Sequence, residues 1–81
     1  MKEADIEKAR QMASRLDCLI EEDVQILAKA TASTVEAWRK RGTGPEYIQF
    51  GNRPLYPQKK LLEFLESKRR ARTGPIATGA L

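Results

Sequence analysis

The segment Ser33-Thr34-Val35-Glu36-Ala37-Trp38-Arg39-Lys40-Arg41 holds the residues whose types and spacing can do chemistry. At about 100° per residue a helix puts Val35 and Trp38 on one side and Ser33, Glu36, Ala37 and Lys40 on the other, flanked by Arg39 and Arg41. That outer side carries a hydroxyl, a carboxylate, a methyl and cations. These groups can meet DNA: a carboxylate accepts from cytosine N4, a methyl packs on the thymine methyl, and cations contact phosphate. A second candidate is Asn52-Arg53, at a turn between two short apolar stretches. Other chemistry is poorly supplied. With no histidine and one cysteine (Cys18), the chain lacks Ser–His and Cys–His nucleophile pairs, the usual general base and the ordinary zinc ligand sets. The expectation is no enzyme, no metal and no cofactor.

Charge points the same way. The 81 residues carry net charge +4. Residues 1–35 hold five basic and seven acidic side chains, and residues 36–81 hold ten basic and four acidic, so the second half is +6. Such an asymmetry suits a polyanion partner, or a solvated surface with a basic tail. The length allows one domain, and Leu, Ile, Val and Phe together make up only about a fifth of the chain, so the core must be small. One cysteine excludes an internal disulfide. The charged start Met1-Lys2-Glu3-Ala4-Asp5 predicts no secretion signal, and no apolar run reaches the length of a membrane span. The expected location is the cytoplasm, on the nucleoid when bound.

The elements that must position the candidate residues follow from periodicity. Over 3–17, Ile6, Ala9, Ala13 and Leu16 form one narrow apolar stripe of an N-terminal helix, packing on the domain or on a second copy. Leu19-Ile20 is a short apolar entry. Glu21, Glu22 and Asp23 suit a first helical turn, and Val24, Ile26, Leu27 and Ala28 supply a buried face over about 21–29. Thr31 is an N-cap, and a helix over 32–41 ends at Gly42. Gly42-Thr43-Gly44-Pro45 is a loop. Tyr47-Ile48-Gln49-Phe50, the turn Gly51-Asn52-Arg53 and Pro54-Leu55-Tyr56 predict a hairpin. Pro54 has no donor, which predicts an edge strand or one barely paired there. Pro57 suits position N1 of a last helix, whose apolar side is Leu61, Leu62, Phe64 and Leu65. Residues 71–81 read as a disordered tail.

Two short helices, a tight turn and a hairpin make a helix-turn-helix with a wing. The set Val24-Gln25-Ile26-Leu27, Ser33-Thr34-Val35-Glu36-Ala37-Trp38-Arg39-Lys40-Arg41-Gly42, Gly44-Pro45, Tyr47-Ile48-Gln49-Phe50-Gly51-Asn52-Arg53 and Tyr56 resembles the MerR-like winged helix-turn-helix of phage and prophage regulators, a group with AlpA-like regulators and excisionases. The likeness covers roughly 19–66. It implies a mainly α fold with a small β-hairpin wing, here with an extra N-terminal helix. It also implies major-groove roles for Ser33, Glu36, Ala37 and Lys40 and a wing role for Asn52 and Arg53. Where such proteins often carry basic residues, this chain has Glu36 and Ala37, and its wing turn holds one cation instead of two.

The expected organisation is an accessory helix over 1–18, a winged helix-turn-helix over 19–70 and a tail over 71–81. Expected DNA contacts are Ser33, Thr34, Glu36, Ala37, Arg39, Lys40 and Arg41 on the second helix and Asn52 and Arg53 on the wing. The expected function is sequence-specific double-stranded DNA binding in transcription regulation. Alternatives are an excisionase-like DNA-bending factor and a winged helix that binds protein; a packaging-subunit domain fits less well, for want of an assembly domain. Expected partners are duplex DNA, a second copy in a homodimer or cooperative oligomer, and an integrase or RNA polymerase. Each motif also has a plainer reading. Trp38, Tyr47 and Tyr56 read as core residues before stacking platforms, and Arg39-Lys40-Arg41 also suits a helix C-terminus. Lys68-Arg69-Arg70-Ala71-Arg72 reads equally as a solvated tail or a backbone contact, and Cys18 as a small apolar side chain.

Overall fold

A computed structural model describes residues 2–70. The disordered tail expected over 71–81, including Arg72, lies outside the described residues. The chain runs α1 (Lys2–Arg15), β1 (Cys18–Ile20), α2 (Glu21–Ala28), α3 (Ala32–Arg41), β2 (Ile48–Phe50), β3 (Arg53–Pro57) and α4 (Gln58–Ser67). Among the described residues the architecture is mainly helical, with a small antiparallel sheet in the order β1-β3-β2. No helix among them is long and apolar enough to cross a membrane.

The sheet differs from the expected hairpin in two ways. Leu19-Ile20 is not just an entry to a helix; with Cys18 it is a third strand, pairing Leu19 with Tyr56 and Ile20 with Leu55. β3 is therefore central and not an edge, although it contains Pro54 and Pro57. Staggered neighbours explain how it tolerates both. Phe50 and Arg53 flank a two-residue turn, so N–H groups of 53, 55 and 57 face β2 and those of 54 and 56 face β1. β1 ends at Ile20 opposite Leu55, leaving no strand beside the missing N–H of Pro54. β2 begins at Ile48 opposite Leu55, leaving none beside that of Pro57. Pro57 also precedes α4 by one residue instead of opening it. The first helical N–H, from Gln58, is satisfied by the carbonyl of Asp17 at 2.8 Å.

Alternate residues of β3, Pro54 and Tyr56, turn into the core. There Val24, Val35 and Tyr56 pack together, with Leu19, Ala30 and Trp38 around them. Each fully buried side chain of this kind contributes about 1.5–3 kcal/mol. The core is narrower than the apolar pattern suggests. Ile26 and Leu27 on α2 are about two-thirds exposed. Ile26 comes two residues after Val24, more than half a helical turn away, so an eight-residue helix cannot bury both against one sheet. On α4 only Leu61 is buried, while Leu62 and Leu65 are exposed. In the N-terminal stripe Ala13 is buried and Ile6 and Ala9 are half-buried. Leu16 is exposed, because α1 stops at Arg15 and a turn through Asp17 (φ 58°) swings it away. α1 is fastened to the start of α2 by Arg10 Nε donating to Asp23 Oδ1 at 2.6 Å.

Candidate nucleic-acid interface

α3 is closed at both ends as its residues dictate. Thr31 Oγ1 accepts from the Thr34 N–H at 3.2 Å and shares a hydroxyl hydrogen bond with Thr34 Oγ1 at 2.9 Å. Gly42 ends the helix in the left-handed region at φ 74°, and the N–H of Thr43 returns to the carbonyl of Trp38 at 3.0 Å. Val35, 1 % exposed, pins the inner side. Trp38 packs partly buried on the same core, under the loop that follows. Gly44 lies so close to the stem and backbone of Trp38 that a Cβ there would sit 3.1 Å from Trp38 Cβ.

The outer side of α3 carries Ser33 and Lys40, exposed, and Glu36 and Ala37, half-buried. Thr34 is exposed, but its hydroxyl is already engaged in the N-cap. Lys40 Nζ meets Glu36 Oε2 at 2.9 Å, one turn apart, and this hydrogen bond and charge hold the Glu36 carboxyl below its ordinary value. The centre of the outer side is thus locally neutral. Arg41 is exposed, and no ion pair involves it among the described residues.

Arg39 occupies a different place. Its Nε donates to Glu21 Oε2 at 2.8 Å, its Nη2 reaches Glu21 Oε1 at 3.4 Å, and the guanidinium carbon stands 5.8 Å from the centre of the Tyr47 ring. The two charged side chains are only 18 % and 15 % exposed. Tyr56 completes the network, its hydroxyl donating to Glu21 Oε2 at 2.7 Å. Burial, then the carboxylate, pushes the Tyr56 hydroxyl far above its ordinary value, and the hydrogen bond to Glu21 raises that of Arg39. Arg39 thereby joins α3 to α2 and the sheet.

The turn between β2 and β3 repeats the pattern. Asn52 is exposed beside Gly51, which takes φ 62°. Arg53 does not project freely: its Nη1 donates to Glu22 Oε1 at 3.2 Å. With Asp23 holding Arg10, three consecutive acids at the start of α2 each hold an arginine, from α3, β3 and α1 respectively. From sequence alone Glu21-Glu22-Asp23 reads only as a favourable first turn. A local signal for the pairing is weak, since the partners lie 13 to 31 residues away.

Two apolar features of the surface carry no clear signal in the sequence. Phe50, beside the turn, is 74 % exposed, and Ile48 on the same strand is more than half exposed. A groove of about 210 Å³ opens between α2, α4 and the loop after α3, lined by Val24, Leu27, Trp38, Pro45, Leu61 and Leu65 among others. Among the described residues no three His, Cys, Asp or Glu side chains are gathered to hold a metal ion. No protein-family model matches the chain, and no curated protein or solved structure matches it.

Proposed function

We propose that the chain is a sequence-specific double-stranded DNA-binding protein of the winged helix-turn-helix type, acting as a phage-type transcriptional regulator. α2, the turn at Lys29-Ala30-Thr31 and α3 form the helix-turn-helix, and β2 and β3 form the wing. The single observation that carries the reading is the two-sidedness of α3. Val35 and Trp38 anchor it, while Ser33 and Lys40 stand uncovered on the far side. A major groove about 12 Å wide admits such a helix. In this reading Ser33, Glu36, Ala37 and Lys40 face base edges, and Lys40 and Arg41 meet phosphate. Arg39 and Thr34 act from behind: one joins α3 to α2, the other caps it. The excisionase-like alternative shares the same surfaces and differs in the site bound and in an integrase partner.

A protein-binding winged helix is the second reading, favoured by the apolar groove beside α4 and by the neutral Glu36–Lys40 pair. Salt separates the two. For a duplex ligand, log K against log salt falls with a slope of about −0.9 per phosphate contacted. Measured by anisotropy on sites selected from random duplex DNA, Lys40→Ala and Arg41→Ala each reduce that slope by about one. Binding to no duplex at low salt, or binding indifferent to salt and to both substitutions, overturns the DNA reading.

A further inference from the structure

The wing turn carries almost no free charge, because its arginine is held by Glu22, yet it carries the most exposed large apolar side chain among the described residues. We infer that Phe50 is a wedge that enters the minor groove of the bound duplex and unstacks a base step, so that this protein bends its site. The inference rests on the DNA-binding reading above and adds to it a residue and an effect on the duplex.

Three observations support the geometry. Phe50 is the last residue of β2 before the turn Gly51-Asn52, so its ring stands at the end of a two-stranded projection. Apolar side chains at such ends are what minor-groove proteins insert between base steps, kinking the duplex by about 20–90°. Second, the register pairs Phe50 with Arg53, and directly opposed residues share a face of the sheet with side chains about 5 Å apart. The Arg53 guanidinium is turned to Glu22, and on leaving that partly exposed pair it can reach the phosphates that flank an opened step. Third, the apolar area is small. Only Ile48 and Phe50 alternate outward on this three-residue strand, far less than the ~800 Å² per partner of a stable protein interface. A single projecting ring suits a slot between bases better than a flat protein surface.

The test uses the full chain and a selected duplex site, labelled at its ends for energy transfer and carrying 2-aminopurine at each candidate step. Wild type is expected to shorten the end-to-end distance and to raise 2-aminopurine emission at one step under the wing. Phe50→Ala is expected to abolish both signals and to weaken binding about tenfold, with an unchanged melting temperature because the ring is exposed. Phe50→Leu, which keeps an apolar wedge, retains part of the bend. If Phe50→Ala binds and bends like wild type, or if wild type binds a straight, fully stacked site, the wedge is overturned and the DNA reading stands. If wild type binds no duplex, both fall. If Phe50→Ala leaves DNA binding unchanged but dissociates an oligomer in sedimentation, the ring is a protein contact and the wedge is overturned.

Discussion

Glu21→Gln keeps the shape of the side chain and removes the charge that Arg39 and Tyr56 share. The two ion-paired side chains are 18 % and 15 % exposed, so solvent compensates only in part. A hydrogen bond to a charged group contributes about 1.5–3 kcal/mol, and stranding one partner of a fully buried pair costs about 3–5 kcal/mol. Residual exposure, and the amide oxygen that still accepts from Tyr56, place the expected loss toward the lower end, at about 2 kcal/mol. For a domain of this length that lowers the melting temperature by about 8–16 °C. A double-mutant cycle with Arg39→Met, which keeps the aliphatic stem, is expected to show a coupling of about 1–2 kcal/mol by urea unfolding. The same Arg39→Met protein, assayed below its melting transition, is expected to keep the wild-type salt slope on DNA. A loss in Glu21→Gln below about 0.5 kcal/mol, with effects that add as they do for independent sites, would refute the reasoning. So would an Arg39→Met protein of native stability whose salt slope has dropped by one, because Arg39 would then be a phosphate contact.

Other outcomes follow from the same contacts. Tyr56 holds its proton in the folded protein well above about pH 10, where an unfolded tyrosine loses it. Its contribution is therefore complete below about pH 10 and declines as pH rises beyond that, by up to about 1.4 kcal/mol per unit; Tyr56→Phe flattens this alkaline slope in urea titrations. Gly44→Ala presses a methyl to 3.1 Å from Trp38 Cβ, an atom fixed to a helix that cannot swing aside, and is expected to cost about 1 kcal/mol by thermal melting. Glu22→Gln releases Arg53 and removes a carboxylate beside the β2–β3 turn; under the proposed DNA reading, duplex affinity at moderate salt is expected to rise several-fold in anisotropy titrations, while the melting temperature moves little.

What is legible in the residues is local. Thr31 as a cap, the Val35–Trp38 pair and Gly42 as a stop all act within one or two turns, and α3 runs where they place it. β1 is not legible: three residues form a strand only because Tyr56 and Leu55 lie beside them, 35 or more residues later. Pro54 is legible in part: β3 is central and not an edge, but the strand is barely paired at Pro54, because β1 stops at Ile20 opposite Leu55 and leaves nothing beside the missing donor. The burial of α2 and α4 falls short of the pattern for two reasons: Ile26 and Leu62 turn away from the buried Val24 and Leu61, while Leu27 and Leu65, three and four residues on from them, line the apolar groove that no described residue covers. A helix of eight or ten residues presents only a narrow line to a three-stranded sheet. The candidate contacts on α3 follow from angle alone. Angle places Arg39 on the flank, but only the fold brings Glu21 to it.

The ion pairs also rank the cations by what it costs to turn them toward a phosphate. Arg41 has no partner to leave among the described residues. Lys40 leaves a carboxylate on its own helix, where water is close at hand for both. Arg53 and Glu22 are 36 % and 35 % exposed, and parting such a surface pair costs about 0–1 kcal/mol, less than one phosphate contact returns at low salt. Arg39 would have to abandon a more sheltered carboxylate, a ring beneath it and the joint between α3 and α2. Four basic residues that look alike in the chain thus divide into three that can serve a polyanion and one that builds the frame. The same acids that hold the frame also cut the free positive charge around α3 and the β2–β3 turn. If α3 reads DNA as proposed, affinity depends more on fit between α3 and the bases, and a protein built this way gains discrimination between sites at the expense of indiscriminate binding.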